Sequence, residues 1–363
     1  MAFFLLTFMI KRIKLKDFRN YKHLDIETGN PVNILTGANG QGKTNLLEAV
    51  FFVSMLRSFR TSRINDIKNI GSGGFYAAME VMTGKWAKML EVEYYGGRKL
   101  KIDNAPVVKA SEFIREIRTV AFSPDDATIV NGNSSLRRRF LDMFISIMLP
   151  GYMSALHVYV TALKSRNTVL KTHGSNKAML EAYEPMLAES ALFIVKQREY
   201  HLRLLCENIN LILKGFYDSD TVFDIKYKTD VPADLPLVMR KFSNERKKDI
   251  LRGFTGFGPQ LDEIDFYLNG SMMRNYASTG QCRLISLCLK MAEVNILAAD
   301  SSVDPANIVV LIDDVTGELD EKSRNTFFKI ISKAGQAFFT FTEKPSDDFF
   351  DNSIEYKVNN GKI

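Results

Sequence analysis

The feature that most constrains this chain is a glycine-rich loop whose chemical complement lies near the far end of the sequence. Gly37-Ala38-Asn39-Gly40-Gln41-Gly42-Lys43-Thr44 follows the short apolar run Val32–Thr36 and precedes Leu46, Leu47, Val50, Phe51 and Val53 at helical spacing. In a strand, glycine loop and helix of this kind, successive backbone N–H groups cradle phosphates, aided by the positive end of the helix. Glycine suits such a loop because it visits positive φ and lets a ligand approach closely. Lys43 then reaches the β- and γ-phosphates, and the Thr44 hydroxyl ligates Mg²⁺. Much later come Ser278-Thr279-Gly280-Gln281 and the apolar run 308–312, which ends in Asp313-Asp314. A continuous apolar run fits a strand buried on both faces of a parallel sheet. An acid at its carboxyl end stands at the crevice where such sheets bind ligands, so Asp313 is placed to hold Mg²⁺ through water. Asp314 is the candidate water-orienting base. Ser278 alone reads as a helix N-cap. A single compact phosphate-loop enzyme has no use for it, whereas an ATPase that closes two copies of itself around ATP does.

The remaining stretches show how the halves are held apart. Residues 11–18 alternate polar and apolar as a half-buried strand does. Val81, Met82, Leu90, Val92, Tyr94, Leu100 and Ile102, set between glycine-rich turns, read as antiparallel strands. The middle is helical, with Leu136, Phe140, Phe144, Met148, Leu156, Tyr159 and Leu163, a break at Pro150-Gly151, and a second long stretch over 177–216. It carries no sustained heptad repeat. Residues 262–270 read as a strand and turn, 280–299 as a helix, and 338–342 as the next strand. The expected fold is α/β, with mixed sheets in a head built from residues 1–122 and 250–363, and a helical lobe inserted over 123–249.

Composition excludes some classes. Cys206, Cys282 and Cys288 are odd in number and none forms a CxxC, while His23, His157, His173 and His201 lack ligand spacing. No disulfide framework or zinc site is expected, and a cytoplasmic setting fits. The apolar opening over residues 1–8 lacks a basic flank and is too short to span a bilayer. Met9 follows at once, so a misplaced start is its plain explanation. The net charge of +6 permits a polyanionic partner without requiring one.

The order of these motifs, with Glu318-Leu319-Asp320 after the acidic pair, resembles an ABC-type ATPase head of the structural-maintenance-of-chromosomes class. Within it the chain is similar to the RecF family of bacterial recombination and gap-repair proteins. The residues that carry this resemblance include 15–21, 37–49, Arg57-Ser58-Phe59-Arg60-Thr61-Ser62-Arg63, Phe122-Ser123-Pro124-Asp125-Asp126, Arg137-Arg138-Arg139-Phe140-Leu141-Asp142 and 163–167. It is weakest between residues 215 and 250. The resemblance implies a head-to-head homodimer with ATP held between the phosphate loop of one copy and Ser278, Thr279, Gly280 and Gln281 of the other. It places Asp320 in communication across the dimer, Thr340 or Thr342 at the switch position, and Arg19 and Asn20 near the base and ribose. It also implies DNA as ligand, RecR as partner and, through it, RecO and RecA, in gap repair, replication-fork maintenance and support of the SOS response. Gln260-Leu261 departs from the family's His-Arg, Thr316-Gly317 from its Phe-Ser, and Cys282 from its Gln. Asp314 stands where many such ATPases carry Glu, so slow, DNA-stimulated hydrolysis suited to a switch is expected.

Arg57, Arg60 and Arg63 are the candidate DNA contacts. Arg137, Arg138 and Arg139 form a second basic cluster and Lys11, Arg12, Lys14 and Lys16 a third. Arginine binds phosphate oxygens without reading sequence, and no base-reading motif is present. A transporter-type subunit would not carry so long an insertion without membrane segments. A long-armed chromosome-organising ATPase would need heptads, and a metabolic kinase would not need Ser278. Another ATPase of the chromosome-organising class remains the alternative.

Overall fold

The computed structural model describes residues 8–61, 63–83, 86–114, 116–172, 176–217, 220–315 and 319–363. The chain divides into two compact units: Met1–Ala127, Leu211–Asp220 and Arg283–Ile363 form one, Thr128–Asn210 and Thr221–Cys282 the other.

The first unit contains two sheets. In the antiparallel one the strands run Tyr21–Glu27, Phe8–Phe18, Phe75–Thr83, Trp86–Tyr94, Arg98–Ile102, Ala105–Pro106. The period-2 pattern sets its faces: Ile13 and Leu15 are buried, whereas Lys16 faces out. The second sheet is wholly parallel, in the order Ile354–Lys357, Val32–Thr36, Gln336–Phe341, Ile308–Asp313, Arg118–Phe122. Every residue of Ile308–Asp313 is buried, as a central parallel strand requires. The helix Lys43–Met55 lies against strands of both sheets. That explains why it is buried on nearly every side.

The second unit packs the helices Ser134–Met148, Pro150–Lys171, Leu235–Arg252 and most of Lys177–Leu213 with a three-stranded antiparallel sheet. The break expected at Pro150-Gly151 falls at Leu149, and Pro150 opens the next helix, where its missing N–H costs nothing. The division differs from the expected one at residue 250. Glu263–Leu268 pairs in register with Phe223–Lys228, from Glu263 opposite Lys228 to Leu268 opposite Phe223. The strand expected in the head therefore belongs to the second unit, and the boundary lies between Cys282 and Arg283.

Candidate functional site

Strand order in the parallel sheet assembles the first half of the site. Val32–Thr36 and Ile308–Asp313 flank Gln336–Phe341 on either side, so the loop after the first, the acids after the second and Thr340 on the third meet at one edge. Thr44 Oγ1 donates to Asp313 Oδ1 at 2.9 Å, and Thr340 Oγ1 donates to the same oxygen at 2.8 Å. Asp313 is 8% exposed. Burial raises its carboxyl pKa, opposed by these two hydroxyls and by the charge of Arg60. The backbone N–H of Asp314 donates to Thr340 Oγ1 at 3.1 Å. Asp314 has a left-handed backbone, φ 51°, and its side chain is exposed. Thr342 is exposed, and its carbonyl accepts from Gly37 N at 3.3 Å. The Lys43 ammonium donates to the carbonyls of Gly37 at 2.5 Å and Ala38 at 3.0 Å. Burial lowers its pKa, and the charges of Asp314 and Asp313 resist the shift. Gly37 has no room for a side chain, because a Cβ there would lie 2.4 Å from the Val358 carbonyl oxygen.

Asn20 and Tyr21 brace the loop from the turn between the first two strands. Asn20 Nδ2 donates to Gln41 O at 2.9 Å and Tyr21 OH to Gly42 O at 3.0 Å. Asn45 Nδ2 donates to Asn20 Oδ1 at 2.8 Å. Arg19 turns towards Glu48, donating through Nε at 2.8 Å and Nη2 at 2.6 Å. Glu48 is fully buried and was not anticipated. The available signal was a lone carboxylate in the apolar helix run Leu46-Leu47-Glu48-Ala49-Val50, since such an acid stays buried only when paired. Arg60 joins this group, with Nη1 at 2.8 Å from Asn45 Oδ1 and 3.5 Å from Glu48 Oε2.

Arg60 thus stands apart from Arg57 and Arg63, the other two candidate DNA contacts. Leu56 caps the helix in a left-handed conformation. The chain beyond it is not helical, so a three-residue spacing does not set a common face. Arg57 and Arg63 are exposed. Arg98 donates to Leu56 O at 3.0 Å, and Arg57 is near enough for its charge, after burial, to lower the Arg98 pKa. Neither Arg57 nor Arg98 has a carboxylate partner among the described residues.

In the second unit Ser278 is an N-cap. Its Oγ accepts from Gln281 N at 3.2 Å, and Gln281 Oε1 accepts from Ser278 N at 2.9 Å, a reciprocal box at the start of Thr279–Ala299. Ser278's neighbours Thr279 and Gly280 are exposed. Two arginines of the basic cluster over 137–139 are engaged by backbone carbonyls. Arg137 is 1% exposed and donates to the carbonyls of Ile264 and Gly132, and Arg138 donates to Asp262 O. Gln260, at the position of the family's His, accepts from the buried Tyr159 hydroxyl and donates to Phe257 O at 3.0 Å, while Leu261 is half exposed. Back in the first unit, Arg12 of the third basic cluster pairs with Asp25 at 2.5 Å. Asp320 caps Glu321–Ile331, accepting from Ser323 N at 2.8 Å, which lowers its pKa. Glu318, Thr316, Gly317, Ser62 and His173 lie outside the described residues. Among those described, no helix is long and apolar enough to cross a membrane.

Residues 9–355 match the family model for the RecF/RecN/SMC N terminal domain. The DNA replication and repair protein RecF of Acetivibrio thermocellus is 33% identical over 356 residues, 94% of this chain and 95% of that protein. Its counterpart in Bacillus subtilis is 32% identical over 371 residues, 98% of this chain and 99% of that protein. A solved structure of the recombination mediator protein RecF with ATP, in the RecFOR pathway, aligns at TM-score 0.86 and 30% identity over 98% of this chain and 97% of that one. The Smc head domain of Pyrococcus furiosus aligns at TM-score 0.51 and 16% identity over 98% of this chain and 95% of that one, a likeness of fold alone.

Proposed function

The chain belongs to the RecF family of DNA replication and repair proteins, within the RecF/RecN/SMC N-terminal domain group, and from that premise we propose an ATP-gated DNA-binding switch. ATP binds the phosphate loop of one copy and is closed over by Ser278, Thr279, Gly280 and Gln281 of a second copy. The closed dimer grips DNA by its backbone, and slow hydrolysis opens it. Handover to RecR, and through it RecO and RecA, at gaps is the accompanying proposal. The observation that carries the reading is the convergence of Thr44, Asp313 and Thr340, two hydroxyls on one buried carboxylate oxygen.

This trio fits Mg²⁺, which takes one or two protein oxygens and leaves its other positions to water and phosphate. When bound, the metal neutralises charge developing on the phosphate oxygens. Thr44 and Asp313 would hold it. Thr340 keeps Asp313 oriented and, through the Asp314 N–H, sets the backbone that carries the candidate base. Lys43 exchanges its two carbonyl partners for phosphate oxygens. Asp314 is one methylene shorter than Glu, and each 1.36 kcal/mol of lost transition-state stabilisation slows a step tenfold. Turnover well under the enzyme median of about 10 s⁻¹ is therefore expected.

Sedimentation with ATP and Mg²⁺ tests the sandwich. Wild type should dimerise only with ATP. Ser278→Arg should remain monomeric yet bind ATP as tightly as wild type. A Ser278→Arg protein that dimerises normally rules the arrangement out.

A further inference from the structure

The phosphate loop is braced from a side that its own motif does not include. The strand Ile354–Lys357 runs parallel to Val32–Thr36 at the edge of the sheet. The chain then turns over residues 358–362, closed by hydrogen bonds between Asn359 and Lys362 at 2.9 and 3.0 Å. This turn sits on the loop. The Val358 carbonyl fills the space beside Gly37. Asn360 N donates to Gln41 Oε1 at 2.7 Å, and Gly361 N donates to Gln41 O at 2.9 Å. The same Gln41 carbonyl accepts from Asn20 Nδ2, so two turns distant in sequence hold one loop residue. The fit depends on glycine: Gly361 has φ 70°, and a Cβ there would stand 2.4 Å from the Asn20 carbonyl oxygen.

We propose that residues 358–362 are a strap that positions the phosphate loop for ATP, with Gln41 as its anchor and Gly361 as the residue that permits the fit. Gln41 lies next to Gly42 and two residues from Lys43, so holding its carbonyl and side chain holds the segment that wraps the phosphates. A loop fixed beforehand has less conformational freedom to lose when the nucleotide arrives. The strap touches neither Asp313 nor Asp314 through any of these contacts, so it acts on binding and not on the chemical step. Loss of such an interaction raises KM and leaves kcat in place.

The inference rests on the reading that this loop binds ATP, and the experiment separates the two. Steady-state ATPase activity and equilibrium binding of a fluorescent ATP analogue are measured for the full chain, Gly361→Ala and Gln41→Ala. Gly361→Ala should raise KM and Kd about tenfold with kcat within about twofold, the signature of lost ground-state binding. Gln41→Ala removes only the acceptor for Asn360 N and should raise both about threefold. It decides the matter alone if Gly361→Ala fails to fold. Folded variants with wild-type KM, or a fall in kcat at unchanged KM, overturn the strap while the nucleotide reading stands. A wild type that binds no ATP overturns both.

Discussion

Two sets of arginines, one in each unit, are employed in opposite ways. In the second unit, Arg166 is fully buried and Arg198 only 2% exposed. Arg166 donates to Asp249 and Thr255 at 2.8 and 2.7 Å, and Arg198 to Asp262 at 2.7 Å, Pro259 O at 2.6 Å and Asp142 at 3.1 Å. Their charges face buried carboxylates, Glu184 also lying 3.6 Å from Arg166. In the first unit Arg57, Arg63 and Arg98 are exposed, and Arg57 and Arg98 stand near each other with no carboxylate partner among the described residues. A buried guanidinium persists only where neighbours replace its water. An exposed like-charged pair gains most when a polyanion arrives. Basic clusters that look alike in sequence therefore divide into scaffold and candidate contact surface.

The largest effect that tests this contrast is on stability. Asp249→Ala strips Arg166 of its 2.8 Å partner, fully buried on both sides. Breaking such a pair should cost about 3 kcal/mol, the low end of the range for a buried pair, because Glu184, 3.6 Å from Arg166, still faces the remaining charge. Arg57→Ala, at the surface, should stay within about 0.5 kcal/mol of wild type, and Arg98→Ala, which loses its bond to Leu56 O, within about 1.5 kcal/mol. Urea denaturation of the three variants checks both statements. An Asp249→Ala protein as stable as its parent would remove the distinction between the units.

Much of the nucleotide half was legible because its signals are local. The loop motif, the apolar strand before Asp313 and the Ser278 cap each occupy a few consecutive residues, and backbone chemistry acts at that range. The meeting of Thr44, Asp313 and Thr340 was not legible in this way. It follows from Val32–Thr36, Gln336–Phe341 and Ile308–Asp313 lying side by side; the residues alone assigned Thr44 and Asp313 to one metal ion, and only the family resemblance pointed to Thr340. The domain boundary was missed for the same reason, since the pairing of Glu263–Leu268 with Phe223–Lys228 is non-local. The helix Leu235–Arg252 did have local signals: Asp234 accepts from Leu237 N, Pro236 stands in the first turn, and Gly253 closes the end with left-handed φ. Its largely polar sequence hid them. The direction of Arg137, Arg138 and Arg139 was not legible either, because three consecutive helical residues point in three directions, and the first of them points into the core.

The next effect sharpens the surface side of the contrast. If Arg57 and Arg98 each meet a DNA phosphate, the double variant Arg57→Ala/Arg98→Ala should lower the slope of log K against log salt by about 2, at about 0.9 per phosphate lost. ATP binding should be unchanged, because neither side chain touches the loop or its braces. Filter binding of gapped DNA across a salt series, with ATP present, gives the slope. An unaltered slope would return this pair to ordinary surface charge. Arg137 offers no comparable test, since its removal would disturb the fold first.

The smallest effect concerns a charge cluster that the first unit does bury. Glu293 is 3% exposed, lies 3.4 Å from Lys290 and is also subject to the charge of Asp126. Burial pushes the Glu293 carboxyl up to about 7 and that of Asp126 up to about 6. A carboxyl whose folded pKa is raised binds its proton more tightly in the native state. Its contribution is thus full below the unfolded value of 4.5 and is lost as pH rises through about 7. Glu293→Gln cannot ionise, so it escapes that loss. The variant should gain on wild type between pH 5 and pH 8 by an amount on the order of 1–3 kcal/mol. Thermal denaturation of both proteins across that range reads the difference directly. A flat difference would mean that Lys290 satisfies Glu293 as completely as Asp249 satisfies Arg166, and the two units would then treat their buried charges alike.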